Sequence, residues 1–334
     1  MIIIVRKDTG EAQLSELLGW IEQQGLHSQT ARGELATVVS VIGDSSSLDV
    51  DRIRCLPFVQ SVKRITEPFL LAGRGKHPQD TVVSVSGVLV GGGHFALIAG
   101  PCAVESEEQL LAAARCVKAS GASILRGGAF KPRTSPYDFQ GLGIEGLRIL
   151  SAVKKETGLP VVSEIVDPST LPFYEDVDLI QVGARNGQNY ELLKELARCG
   201  KPILLKRSPA STLREYLMAA EYLLAGGNGN VILCERGVRG FDTETRAVLD
   251  VSALPVLHEL SHLPVIADPS HAAGQARYVG PLSLAAVAAG ADGLMVEVHC
   301  DPPSALCDAA QALTPESFDR LSARVRRLRE ALHD

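Results

Sequence analysis

One cysteine and one short run of cations and hydroxyls carry the chemistry most legible in this chain. An apolar run ends in Gly100-Pro101-Cys102, and the next ends in Leu125-Arg126 before Lys131-Pro132-Arg133-Thr134-Ser135. The thiol offers a soft metal ligand or a nucleophile. The cations offer an anion site, arginine through bidentate hydrogen bonds and lysine as a point charge. Further polar residues close later apolar runs: Glu164, Arg185 with Asn186, Lys206 with Arg207, Glu235 with Arg236, Asp268 with His271, and Glu297 with His299. Asp308 follows the last of them. Cys102, His271, Glu297 and Asp308 form a mixed sulfur, nitrogen and oxygen donor set suited to a divalent ion such as Mn, Fe, Co or Zn, with His299 competing with His271. No base lies beside Cys102 in sequence, so it reads as a ligand rather than a nucleophile. Cys55, Cys116, Cys199, Cys234, Cys300 and Cys307 read as structural or incidental. Arg126, Lys131, Arg133, Arg185, Lys206 and Arg236 together fit substrates bearing several phosphate or carboxylate groups. Anionic substrates beside a Lewis acid point to carbon–carbon bond formation onto an aldehyde.

The elements that must position these residues repeat from Phe95 onward. Short apolar runs are expected as strands at Ala96–Ala99, Ser123–Arg126, Val161–Ile165, Leu179–Gly183, Ile203–Lys206, Val231–Cys234, Val265–Ala267 and Gly293–Val298. Amphipathic stretches alternate with them: Glu107–Ala119, Glu145–Thr157, Tyr190–Cys199, Leu213–Leu224 and Pro281–Ala289. A last helix sets Phe318, Leu321, Val325, Leu328 and Leu332 on one stripe. Near-continuous apolar strands imply burial on both faces, hence a parallel sheet under helices. Eight such units match a (β/α)8 TIM barrel of ~250 residues, ahead of a doubly wound sheet. The candidate residues all follow the strands, at the end where such barrels hold their sites.

Before the barrel, the order β-α-β-β-α-β fits a small ferredoxin-like α+β domain over residues 1–70. Its strands are expected at Ile2–Val5, near Leu26–Ala31, at Leu35–Ile42 (ended by Gly43-Asp44) and at Val59–Ile65, with helices at Ala12–Gln24 and Leu48–Leu56. Residues 71–80, polar and broken by glycine and proline, are expected to link it to a barrel domain over 81–334. Thr81–Val90 alternates around Gly87 as a hairpin capping the barrel floor.

The net charge of −6 argues against nucleic acid or an anionic membrane as the main partner. No apolar run reaches the ~20 residues of a membrane span. Seven widely spread cysteines with no C-x-x-C pair fit a reducing, cytoplasmic compartment. The first residues, Met1–Lys7, lack a signal-peptide pattern.

At these residues the chain resembles the 3-deoxy-D-arabino-heptulosonate 7-phosphate (DAHP) synthases that carry an N-terminal ferredoxin-like, ACT-like regulatory domain. The resemblance is densest at 98–105, 125–143, 181–186, 204–207, 233–237, 267–271 and 296–299. The sister 3-deoxy-D-manno-octulosonate 8-phosphate (KDO8P) synthases have a Lys-Ala-Asn-Arg-Ser type sequence where this chain has Lys131–Ser135. The resemblance implies condensation of phosphoenolpyruvate with erythrose 4-phosphate at the head of the shikimate pathway to the aromatic amino acids. It implies that Arg126, Lys131 and Lys206 hold the phosphoenolpyruvate carboxylate, and Arg185, Lys206 and Arg236 its phosphate. Arg133 and Thr134 take the phosphate of erythrose 4-phosphate. It further implies that Cys102, His271, Glu297 and Asp308 hold a metal that polarises the aldehyde, and that Lys206 doubles as a proton donor. A KDO8P synthase acting on arabinose 5-phosphate, or a non-catalytic barrel sensing a sugar phosphate, are the alternatives. Departures are Ala309 where the family usually has glycine, and Cys300 where proline is common, which adds a thiol near the metal. The tyrosine-sensing His-x-Ser pattern is also missing: Gln29-Thr30-Ala31 precedes Arg32-Gly33, and His27-Ser28 lies two residues earlier. Relatives are commonly homotetramers, and an aromatic amino-acid effector is the corresponding expectation.

Overall fold

The computed structural model describes residues 1–33, 35–43, 45, 48–64 and 68–333. It divides into two compact units, Met1–Pro68 and Phe69–Asp334.

The first unit runs β1 (Ile2–Arg6), α1 (Glu11–Gln23), β2 (His27–Arg32), β3 (Ala36–Ile42), α2 (Val50–Arg54) and β4 (Val59–Lys63). Its strands pair antiparallel in the order β2-β3-β1-β4, the ferredoxin-like arrangement. Leu14, Leu17 and Ile21 recur at helical spacing on α1 and are buried with Ile3, Val5, Val39 and Val41. Asp49 caps α2 by accepting from the backbone N–H groups of Asp51 and Arg52. Asp44 and Ile65, expected at strand ends, lie outside the described residues.

The second unit begins at Phe69 and includes residues 71–80, the stretch expected as a linker. Phe69 and Ala72 are buried in the barrel's outer core. Glu221 collects the backbone N–H groups of Leu70, Leu71 and Ala72 at 2.8–3.0 Å. Arg74 pairs with Asp80 at 2.6 Å. Glycines and prolines mark irregular backbone, but they do not reveal a distant carboxylate that satisfies it.

A hairpin follows, β5 (Val83–Val85) and β6 (Val88–Val90). Then come eight parallel strands: β7 (Ala96–Gly100), β8 (Ile124–Arg126), β9 (Val161–Ile165), β10 (Leu179–Val182), β11 (Ile203–Lys206), β12 (Val231–Glu235), β13 (Val265–Ala267) and β14 (Gly293–Glu297). They close into a barrel in chain order. Alternate side chains of each strand divide between two layers. Ala96, Ile98, Ile124, Val162, Leu204, Ile232, Ile266 and Met295 fill the interior together with Val83, Val85 and Val90 of the hairpin, which plugs one end. Leu97, Ala99, Leu125, Val161, Leu205 and Leu233 face the helices.

The helices are α3 (Glu107–Ala119), α4 (Ile144–Thr157), α5 (Tyr190–Leu196), α6 (Leu213–Ala225), α7 (Ala253–Leu260), α8 (Pro269–Ala273), α9 (Ala276–Ala288) and α10 (Pro315–His333). The expected strand–helix alternation fails once: a 3-10 segment at Pro168–Tyr174 follows β9, because Pro168 and Pro172 interrupt the ladder an α-helix needs. No helix among the described residues is long and apolar enough to cross a membrane.

Candidate active site

Opposite the hairpin, the loops that follow the barrel strands surround a cleft of about 520 Å³. Lys131, Arg133, Thr134, Arg185, Lys206, Arg236, His271 and Asp308 all line it. Cys102 and Glu297 lie directly behind this wall, through contacts with the lining residues, and Arg126 pairs with Glu297.

The four expected metal donors meet. One ligand atom from each of Cys102, His271, Glu297 and Asp308 falls within 4.8 Å of all the others. Cys102 Sγ is 3.2 Å from Asp308 Oδ2, and His271 Nε2 is 3.1 Å from Glu297 Oε1. Local structure aims each one. Asp268 caps α8 by accepting the backbone N–H of His271 at 2.9 Å. Its other oxygen lies 2.7 Å from His271 Nδ1, which leaves Nε2 facing the cluster. Glu297 is buried with Oε1 near Arg126 at 2.9 Å and Oε2 accepting from Gln311 at 2.7 Å. Asp308 adopts a left-handed backbone, φ 54°. Soft and hard donors of this kind, close together and partly paired with cations, fit a divalent transition ion.

His299 is not part of the cluster. Its Nδ1 accepts from the N–H of Asp301 at 3.1 Å, and its Nε2 lies 3.5 Å from Glu105. Of the two histidines, His271 is the one that lies within the cluster. Cys300 is exposed and outside the cluster. The additional thiol belongs to Cys307, expected to be incidental but 3.4 Å from Cys102 Sγ and 2.8 Å from Arg133 Nη1. Ala309 needs no glycine: the left-handed residue is Asp308 itself, and Ala309 begins a 3-10 turn.

The cations differ in how they are held. Arg126, Lys131 and Lys206 are buried, each near a carboxylate: Glu297, Glu164 at 4.0 Å, and Asp268 respectively. Burial disfavours the Lys131 ammonium, but the neighbouring Cys102 and Glu164 overcome it and hold its pKa above the usual range. Arg185 reaches back to the carbonyl of Pro132 at 3.0 Å and to Thr134 at 3.5 Å, joining the loops after β8 and β10. Arg236 donates to the carbonyl of His271 at 3.2 Å, and burial lowers its pKa. Arg207 turns away into an ion pair with Glu235 and Asp250. Asn186 is half-buried and accepts from Asn189.

The protonation state of the thiol disfavours nucleophilic attack. The hydrogen bond with Cys307, then burial and nearby Glu297, push the Cys102 thiol well above its ordinary pKa. Burial would raise Asp308, but His271 and Arg246 hold it well below the usual carboxylate range. Two lining residues escape a sequence reading, Arg239 and Arg246, because both sit in an irregular loop after β12 where an arginine looks like a solvated charge. Close packing also leaves a trace: a Cβ on Gly183 would lie 1.9 Å from Glu164 Oε1.

Comparison with known proteins gives a consistent result. Residues 79–334 match the DAHP synthetase I family, and residues 1–67 match the DAHP synthase ferredoxin-like domain. The chain is 43% identical to the phospho-2-dehydro-3-deoxyheptonate aldolase of Thermotoga maritima over 99% of its length and 98% of that protein's. A crystal structure of a DAHP synthase from the same organism superposes with a TM-score of 0.94 at 42% identity, covering 99% of this chain and 97% of that one. A truncated form covers 78% of this chain and 96% of that one, with a TM-score of 0.73 at 43% identity. The 2-dehydro-3-deoxyphosphooctonate aldolase of Syntrophotalea carbinolica is 38% identical over 69% of this chain and 90% of its own.

Proposed function

The chain belongs to the DAHP synthetase I family, and from that premise we propose that it condenses phosphoenolpyruvate, D-erythrose 4-phosphate and water into DAHP and inorganic phosphate. The observation that carries this reading is the placement of four metal donors beside a cleft lined by paired and unpaired cations. Carbon C3 of phosphoenolpyruvate bonds to the aldehyde carbon C1, water adds at C2, and phosphate leaves with C–O cleavage. Cys102, His271, Glu297 and Asp308 would hold a divalent ion, which when bound would supply Lewis acidity at the aldehyde oxygen.

The chain's own residues supply the rest. Arg126, Lys131 and Lys206 grip the phosphoenolpyruvate carboxylate, and Arg185, Lys206 and Arg236 its phosphate. Arg133 and Thr134 receive the phosphate of the aldose. The rigid ion pairs behind Arg126 and Lys206 keep these cations aimed before substrate arrives, which is electrostatic preorganisation. Lys206, ion-paired to Asp268 and lining the cleft, is the proton donor of this scheme.

Lys131–Ser135, with proline and threonine at 132 and 134, favours the four-carbon aldose over arabinose 5-phosphate, as does the match to the ferredoxin-like domain. Turnover with the two aldose phosphates tests this: erythrose 4-phosphate should be preferred, and preference for arabinose 5-phosphate would overturn it. The small domain is proposed to respond to an aromatic amino acid, and the enzyme to act as a homotetramer in the cytoplasm. No inhibition by tyrosine or phenylalanine at millimolar levels removes the first idea, and light scattering tests the second.

A further inference from the structure

We propose that Arg246 is a positioning residue for the metal: it fixes which carboxylate oxygen Asp308 presents. The inference rests on the metal reading above.

Asp308 has two oxygens in different surroundings. Oδ2 lies 3.2 Å from Cys102 Sγ and 3.8 Å from His271 Nε2, inside the donor cluster. Oδ1 points out of it, 3.0 Å from Arg246 Nη2. The backbone beneath this carboxylate is left-handed, a conformation that costs a non-glycine residue about 1 kcal/mol or more and needs outside support. The guanidinium supplies that support at the side chain's far end.

Arg246 is itself held by the element that carries another ligand. Its N–H donates to the carbonyl of Ala273 at 3.2 Å, and the next residue's N–H donates to Ala272 at 2.9 Å, both on the helix of His271. Gly274 allows this approach, since a Cβ there would lie 2.8 Å from Arg246 Cβ. Val238 and Val248 exchange backbone hydrogen bonds at 2.9 Å and close the loop's base. One arginine therefore ties the seventh barrel loop, bearing His271, to the eighth, bearing Asp308. Loss of an outer partner of this kind typically weakens metal binding 10- to 100-fold. An unsupported Asp308 would swing both oxygens toward the cluster or away from it.

The test is Mn(II) affinity of the full chain, read from the free-ion electron paramagnetic resonance signal. Arg246→Ala should weaken binding by about 10- to 100-fold. Arg246→Lys, which keeps a cation but loses the fork, should recover part of it and reads the proposal if the alanine variant does not fold. Gln275→Ala, which removes a hydrogen bond from Gln275 to the same loop at Glu244, should leave the affinity unchanged. Wild-type or tighter binding in both Arg246 variants overturns the proposal, as does an equal loss in Gln275→Ala, which would assign the effect to the loop as a whole. Failure of the wild-type chain to bind Mn(II) would instead sink the metal reading itself.

Discussion

Asp268 holds His271 at two points, its backbone N–H at 2.9 Å and its ring Nδ1 at 2.7 Å. A helix cap and a metal-facing imidazole are thus set by one carboxylate, which also pairs with Lys206. Asp268→Asn should keep the cap but lose the charge that fixes the ring. We expect metal affinity to fall by about 10- to 100-fold with little change in fold, measured by metal titration and circular dichroism. Unchanged affinity would show that the ring needs no such partner.

Cys102 supplies the soft donor. Cys102→Ala should lose metal and turnover together, by more than the ~10- to 100-fold that an outer partner's loss costs. Retained metal binding and activity in Cys102→Ala would remove the sulfur from the site.

Chelation makes the complementary test. Treatment with a strong chelator should abolish turnover, and Mn, Fe, Co or Zn added singly should restore it to different degrees. The mixed donor set predicts a response to several of these ions and none to Mg, which prefers all-oxygen shells.

Arg133 contacts Asp138 at 3.1 Å and the Cys307 thiol, and lines the same cleft as Lys206 and Arg236. Arg133→Ala should raise KM for erythrose 4-phosphate about 10- to 100-fold, the scale of a lost hydrogen bond to a charged group, and change KM for phosphoenolpyruvate far less. Equal effects on the two substrates would contradict the division of the cleft.

His262 tests the barrel floor. Its Nε2–H donates to the carbonyl of Leu71 and its Nδ1 accepts from the Thr81 hydroxyl, both at 2.7 Å, so the neutral ring is fully satisfied. Burial lowers its pKa, against help from the Leu71 bond, and His77, stacked at 4.1 Å, and Arg74 add to the lowering. A folded pKa below the unfolded ~6.5 means the unfolded chain binds the proton more readily, so stability is present above that value and lost as pH falls through it. The melting-temperature gap between wild type and His262→Phe should shrink from pH 8 to pH 5. A gap independent of pH would contradict the assignment.

Much of this was readable in the chain, for physical reasons. Strands such as Ala96–Gly100 are apolar on both faces, so their number and parallel packing followed from the sequence pattern. Strand ends are also where loops must present chemistry, which is why Cys102, His271, Glu297 and Asp308 could be named before their geometry. What escaped was set by long-range partners. Glu221 reaches Ala72 across 149 positions, Cys307 reaches Cys102 across 205, and Arg246 reaches Asp308 across 62. None of these contacts leaves a periodic trace in the sequence.

The hairpin that plugs the barrel has a further consequence for traffic. With Val83, Val85 and Val90 sealing one end in aliphatic side chains, the barrel is a blind vessel rather than a tube. In the proposed reaction, two anionic reactants, a seven-carbon product and free phosphate would all pass through the same opening, past the same arginines. A group that binds an incoming phosphate too tightly would also detain the departing one. The strength of the cleft's cations is therefore bounded from above by release as well as from below by capture.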